Sequence, residues 1–241
     1  MEDFLPNLQK FGVIFARLSG VLLFIPGFGV QFVPIKLRIG LSLILSLVAF
    51  PYANIAILDF AADFLIEFLL GCFIGLLTKI FFEALSVIAT LISLQVGLSH
   101  AYSFGLSTPE QSAIFYNFLF LITIFGIFDT GVSHVFIKSI IDSYKTMTFG
   151  QVPNLGDAAN IMASIVSKSF VVAFKLSSPF IITNITLIIG GGLLSRLIPS
   201  FQSFLVLTPA QTLVMLFVFS LTLQSIVLQF VSAIAEVAHI W

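Results

Sequence analysis

In a chain that is mostly apolar, the residues able to do chemistry are few. Lys79 and Glu83 are the one local pair of opposite charges set inside a long apolar run. Four residues apart, they fall on one helix face and can pair, although lysine ahead of glutamate is the weaker order. An uncompensated charge at the centre of a bilayer costs at least about 2.5 kcal/mol. The pair therefore reads first as a structural salt bridge, within the chain or between subunits, and second as part of an ion pathway. It has no nucleophile beside it, which makes it a poor hydrolase or transferase centre. His100, His134 and His239 are far apart and none stands at ligand spacing from a carboxylate, so they read as helix-end or interface residues. Cys72 is the single cysteine, which excludes an intrachain disulfide and argues against metal or redox chemistry. HExxH, GxSxG, Walker and GxGxxG sequences are all missing. The expectation is a protein that is not an enzyme and that uses no cofactor.

The elements that must position these residues are set by composition. Of 241 residues, 59% are hydrophobic and 9% charged, and the mean hydropathy is +1.16. A soluble domain carries roughly 25% charged residues. The expected fold class is therefore an all-α membrane protein, read as one integral membrane unit over residues 1–241. A net charge of −1 and the lack of any basic block give no sign of a nucleic-acid partner. The acidic start "MEDFLPNLQK" is unlike a signal peptide, so the first apolar run is expected to be retained.

Uncharged windows at 18–35, 39–58, 84–109, 111–128, 176–195 and 197–235 are candidate lipid-facing helices. Two apolar patterns are too long for simple spans. Phe64 to Ser99 would extend about 54 Å as one helix, against a hydrocarbon core of about 30 Å. Leu197 to Ala235 is longer still, and "LTPAQT" offers a break: Thr208 as cap, Pro209 as first helical residue, Gln211 reaching back. Two helices are predicted there. "FIPGFG" at 24–29 should end the first helix, "SSP" at 177–179 should kink or start one, and "GGG" at 190–192 should loosen another. "TFGQVPNLGD" at 148–157 reads as a surface loop. Gly71 and Gly75 form a small-xxx-small face suited to close helix packing. Lys36 and Arg38 after the first span place that loop in the cytoplasm by positive-inside reasoning.

One segment breaks the oil. In "GLSHAYSFGLSTPEQ", residues 97–107 read as a central loop, and Thr108, Pro109 and Gln111 as the capped start of a helix. Irregular backbone at membrane depth is tolerated only where protein covers it or water lines it. Gly97 and Gly105 permit tight bends, while Ser99, Ser103 and Ser107 can satisfy local backbone groups. Leu98, Tyr102, Phe104 and Leu106, with His100 among them, could close a narrow pore by packing and dewetting. A buried connector is the plainer alternative.

The segment "RLSGVLLFIPGFGVQFVPIKLRIGL", residues 17–41, closely resembles the N-terminal signature of the FliR family of type III protein export gates. Arg17, Gly20, Pro26, Phe28, Gly29, Pro34 and Arg38 stand at that signature's offsets. The likeness continues in "LQVGL", with Gln95 and Gly97 leading into the central loop, in "DSYKTMTFG" at 142–150, and in "LLSRLIP", with Arg196 and Pro199. The resemblance implies a subunit of the export channel of a bacterial flagellum or the related injectisome, in the inner membrane at the basal body. One copy would join P-type, Q-type and B-type subunits (FliP, FliQ and FlhB-like) in a helical, conical assembly of long broken hairpins. Unfolded exported proteins would be its substrates and membrane lipid its surroundings. The central loop, Gly97 to Leu106, would help plug the closed channel. Arg17 and Arg38 would be assembly contacts, with snorkelling to the interface as the alternative. A different class, a secondary transporter or small channel, would instead use Lys79, Glu83 and the loop as a midplane site.

Overall fold

The structure, a computed structural model, describes residues 4–26, 33–51, 59–96, 110–146, 149–150, 154–197 and 203–238. Among them every regular element is an α-helix: α1 (Phe4–Phe24), α2 (Ile35–Ala49), α3 (Phe60–Phe82), α4 (Ala84–Gln95), α5 (Glu110–Asp129), α6 (Val132–Thr146), α7 (Leu155–Leu197) and α8 (Ser203–Ala238). The chain is an all-α membrane protein. Three of its helical stretches, Phe60–Gln95, Gly156–Leu197 and Thr208–Ala238, are long and apolar enough to cross a membrane. The pair Ile114–Asp129 and Val132–Tyr144 makes a fourth if it acts as one interrupted span.

Local sequence explains most of the ends. α1 stops at Phe24, just ahead of Pro26, where the "FIPGFG" punctuation predicted its end. Pro34 supplies the carbonyl that accepts from Leu37 and Arg38 at 3.0 and 3.3 Å, opening α2, and Pro51 follows its close. Asp59 caps α3 through a bond from the Ala61 amide to its Oδ1 at 3.1 Å. Asn154 does the same for α7, accepting from Gly156 N–H at 3.0 Å, and Asp157 sits in the first turn where a negative charge suits the helix dipole. Gly131, at φ +72°, makes the left-handed turn between α5 and α6.

Several expected breaks do not occur. The windows 18–35 and 39–58 lie only partly within the described residues, which there belong to α1, beginning at Phe4, and to the 15-residue α2. "SSP" does not start a helix, because α7 runs 43 residues, through Pro179 and the glycine triplet. A proline in a helix interior leaves the carbonyl four residues back without its amide. Here that carbonyl belongs to Lys175, and the Ser178 hydroxyl donates to it at 2.7 Å. The predicted start at Thr208 is likewise overturned: α8 begins at Ser203 and carries Pro209 inside it. The reason is tertiary, since Gln211 finds partners on other helices instead of turning back to cap its own.

The helices gather into two compact units. The first comprises Met1–Phe82, Thr130–Lys168 and Ile234–Trp241; the second comprises Glu83–Asp129 and Ser169–Ala233. The long apolar pattern that could not be one simple span divides at Glu83, whose carbonyl accepts from Ser86 at 3.0 Å in a tightened turn.

In the first unit α1 lies backbone to backbone on α3. A Cβ built on Gly20 would stand 2.5 Å from the Phe68 carbonyl oxygen and 2.8 Å from the Cys72 amide nitrogen. One built on Gly71 would strike the Arg17 carbonyl oxygen, and one on Gly75 would lie 2.6 Å from that of Val21. The small-residue face predicted at Gly71 and Gly75 is thus the seat of α1. Val13, Ile14, Ile74, Leu77 and Phe81 fill the interior beside it. In the second unit the rings of Phe115, Phe118 and Phe180 surround Phe219 at centroid distances of 5.5, 5.9 and 6.2 Å. Only 22% of the most apolar window of α7 is buried among the described residues.

Candidate functional site

The first unit encloses a charged cluster. Arg17 and Glu67 are both completely buried. The Arg17 guanidinium grips the Glu67 carboxylate with two parallel bonds, Nε to Oε2 and Nη2 to Oε1, the latter at 2.9 Å. Such a fork is the strong, directional form of an ion pair. Its third arm, Nη1, donates to Ser143 Oγ at 3.3 Å, and that hydroxyl donates onward to the Ile140 carbonyl at 2.6 Å. The Tyr144 ring lies 4.1 Å from the guanidinium carbon, and its hydroxyl donates to the Ile14 carbonyl at 3.4 Å. The Gly150 amide joins the cluster, donating to Glu67 Oε1 at 3.4 Å. Arg17 therefore does not snorkel, and in this conformation it faces the inside of its own chain. The "TFGQVPNLGD" segment, predicted as a surface loop, sends its glycine inward.

Gly150 holds φ +71°, and an added Cβ would lie 3.4 Å from Asp63 Oδ1. A left-handed conformation costs a non-glycine residue roughly 1–2 kcal/mol. Gly150→Ala is accordingly expected to destabilise the purified protein by about that amount, measured as a lowered thermal midpoint in detergent.

The second unit holds an uncharged polar cluster where three helices meet. Gln211 Nε2 donates to the Gln95 main-chain carbonyl and to Asn184 Oδ1, both at 2.9 Å. Asn184 Nδ2 donates in turn to Gln95 Oε1. The Thr212 hydroxyl lies 3.1 Å from the Val96 carbonyl oxygen and 3.1 Å from that of Thr208. These side chains meet the last carbonyls of α4, which helix geometry leaves without partners.

The other predicted residues are placed as follows. Lys79 and Glu83 are both exposed and make no ion pair with each other among the described residues, so the helix-face bridge expected of them is not formed within the chain. Arg38 is nearly buried at 6% exposure, its Nε donating to the Val33 carbonyl at 3.3 Å. Arg196 is exposed in the last turn of α7, where a cation suits the helix end. The loop residues Gly97, Leu98, Ser99, His100, Tyr102, Phe104, Gly105 and Leu106 lie outside the described residues, as do Gly29, Pro199, Thr108 and Pro109. Glu67 and Asn184 went unnoticed in the sequence. A carboxylate set among apolar residues should have signalled Glu67, because such a residue calls for a buried partner.

Two segments that carried the family likeness, 17–41 and 142–150, are therefore joined in space: Arg17 from the first meets Ser143 and Tyr144 from the second, and Gly150 from the second bonds to the same Glu67 that Arg17 grips. The sequence profile of bacterial export proteins, family 1, matches residues 8–237. The chain belongs to that family. Among its relatives is the flagellar biosynthetic protein FliR of Caulobacter vibrioides, 26% identical over 236 residues covering 95% of this chain and 94% of the relative. The FliR protein of Bacillus subtilis is 24% identical over 217 residues, 87% of this chain and 84% of its own. That of Aquifex aeolicus is 25% identical over 228 residues, 92% and 87% respectively. Family membership and its apolar helices place this bacterial export protein in the inner membrane.

Proposed function

We propose that this chain is a structural subunit of the flagellar type III export channel, forming part of the conduit and of its closed-state plug. The observation that carries the reading is the near end-to-end match to FliR proteins, 94% of the Caulobacter relative being covered. The relatives are flagellar biosynthetic proteins by name, which favours the flagellar basal body over the injectisome. Exposed apolar side chains along α7 and α8, such as Ile188, Leu193, Phe217 and Leu221, suit helices of P-type and Q-type subunits as well as lipid. A B-type subunit is the further partner. The segment 97–107, set between α4 and α5, supplies the plug by packing apolar side chains across a narrow passage. The role is passive: the chain walls and seals a path for unfolded proteins, and the driving energy comes from other components.

A tagged copy expressed in its native host should bring down P-type, Q-type and B-type subunits from gently solubilised membranes, as identified by mass spectrometry. Recovery of the chain free of them, in cells that are building flagella, would refute the assignment. Arg38→Glu places a carboxylate against the Val33 carbonyl at the head of α2 and is expected to lower recovery of the complex several-fold. Undiminished recovery would return Arg38 to a snorkelling role.

A further inference from the structure

We propose that the outer face of α3, the stripe Leu65, Leu69, Cys72, Leu76 and Lys79, receives a helix of another subunit that carries an aspartate or glutamate at the depth of Lys79. This rests on reading the chain as a subunit of the export channel, and it adds which surface meets a neighbour and what that neighbour carries.

α3 has two faces. Glu67, Gly71, Ile74 and Thr78 are buried, and Gly71 stands against the Arg17 backbone of α1. At 3.6 residues per turn, Leu65, Leu69, Cys72, Leu76 and Lys79 fall on the side away from α1. Their spacing of four, three, four and three is that of a seam along which one helix packs on another. Leu65 and Leu69 are each 58% exposed, Lys79 is exposed, and Cys72 and Leu76 are half-buried. The seam therefore stays open among the described residues.

Lipid would satisfy the leucines but not the lysine. Lys79 makes no ion pair or hydrogen bond among the described residues. It is the twentieth residue from Phe60 and the seventeenth from Gln95 in a 36-residue stretch able to cross a membrane. A span takes about 20 residues, so every placement of that stretch across a bilayer includes Lys79. An ammonium there needs a counter-charge or water. Water does not suit a face that presents leucines over the turns before the lysine. Glu83 stands one turn on, but it too is exposed and the two make no ion pair. A second copy of this chain would not serve either. Copies inserted in one direction and related by a two-fold axis along the membrane normal bring Lys79 against Lys79 at one depth. The charge that complements this face is a carboxylate on a different chain, held in register by the leucines beside it.

The test uses the assembled complex, purified through a tag on this chain. Lys79→Met strands the partner's carboxylate in an apolar interface, which costs more than the pair ever contributed. Recovery of one other subunit should fall at least about fivefold, whereas Lys79→Arg should hold it near wild type. The thermal midpoint of the free chain in detergent should not move in either variant, because Lys79 pairs with nothing on its own chain. A membrane-permeant carbodiimide, which condenses an amine and a carboxylate in contact into an amide, should join Lys79 to an aspartate or glutamate of that subunit, located by mass spectrometry. Leu76→Cys in a Cys72→Ser background should stay unlabelled by a membrane-impermeant maleimide in the intact complex. Full recovery of every subunit with Lys79→Met overturns the inference, and so does a link from Lys79 to Glu83 or to a second copy of this chain. A lowered midpoint of the free Lys79→Met chain overturns it by giving the lysine an internal role, and labelling of Leu76→Cys overturns it by showing a wetted face. A wild-type chain that comes down alone from cells building flagella refutes the channel reading itself, whereas full recovery with Lys79→Met refutes only the seam.

Discussion

Glu67→Leu should cost this chain about 3–5 kcal/mol. The reason is the partner left behind. Arg17 has no exposed surface, and removing Glu67 takes away the carboxylate its fork was built around. Ser143 and the Tyr144 ring stay in place as uncharged neighbours. The reciprocal change, Arg17→Leu, strands the Glu67 carboxylate with the Gly150 amide as a remaining donor and should cost a comparable amount. Replacing both together, Arg17→Met with Glu67→Leu, removes the desolvation penalty along with the attraction and should recover much of the loss. Thermal midpoints of the four proteins in detergent form the cycle. Additive losses in the double variant would mean that the two residues are not coupled in the way the geometry requires.

The second large effect is expected at Gly71. Its α-carbon faces the main-chain carbonyl of Arg17, so any side chain there meets backbone and not a flexible tip. Overpacking a core usually costs about 1–3 kcal/mol. At Gly71 the helices must part, and that parting also pulls Arg17 away from Glu67, one turn up α3. Gly71→Ala should already lower the yield of folded protein, and Gly71→Leu should abolish it. Gly40 and Gly190 provide the contrast, because a Cβ at either meets nothing within 4 Å. Alanine at those positions should be neutral or gain up to about 1 kcal/mol from helix propensity. Equal tolerance of alanine at Gly71 and Gly40 would contradict the close approach of α1 and α3.

How much of this was legible in the sequence depends on the range of the interaction. Signals that act within a few residues read correctly: the end of α1 at the Pro26 turn, and a glycine face on α3 wide enough for a neighbouring helix. The family likeness was legible because motifs such as "DSYKTMTFG" can be matched without knowing what their residues touch. What failed were local rules overruled from a distance. The capping box at Thr208 to Gln211 is sound chemistry in isolation, but Gln211 bonds to Gln95 and Asn184 instead, and α8 continues through Pro209. Pro179 does not start a helix as its position allowed, and the neighbouring Ser178 hydroxyl covers the carbonyl it strands. Lys79 and Glu83 drew attention because they are four apart. The pair that is buried, Arg17 and Glu67, is separated by 50 residues and invisible to a helix-face rule.

Those two clusters divide the work in physical terms. The charged one locks α1, α3 and α6 with the turn at Gly150, giving a rigid base. The uncharged one holds the end of α4. Charges would be costly to separate in an apolar site, whereas amides and hydroxyls can exchange partners at lower cost.

The central claim, that this chain seals the channel it helps to form, is tested most directly by deleting residues 98–106 and measuring ion leakage across the inner membrane of cells that assemble the variant. Assembly is verified by co-purification of the other subunits. The account predicts that the complex still forms and that the membrane becomes leaky to ions and small solutes. An assembled complex with the deletion and an unchanged, tight membrane would contradict it.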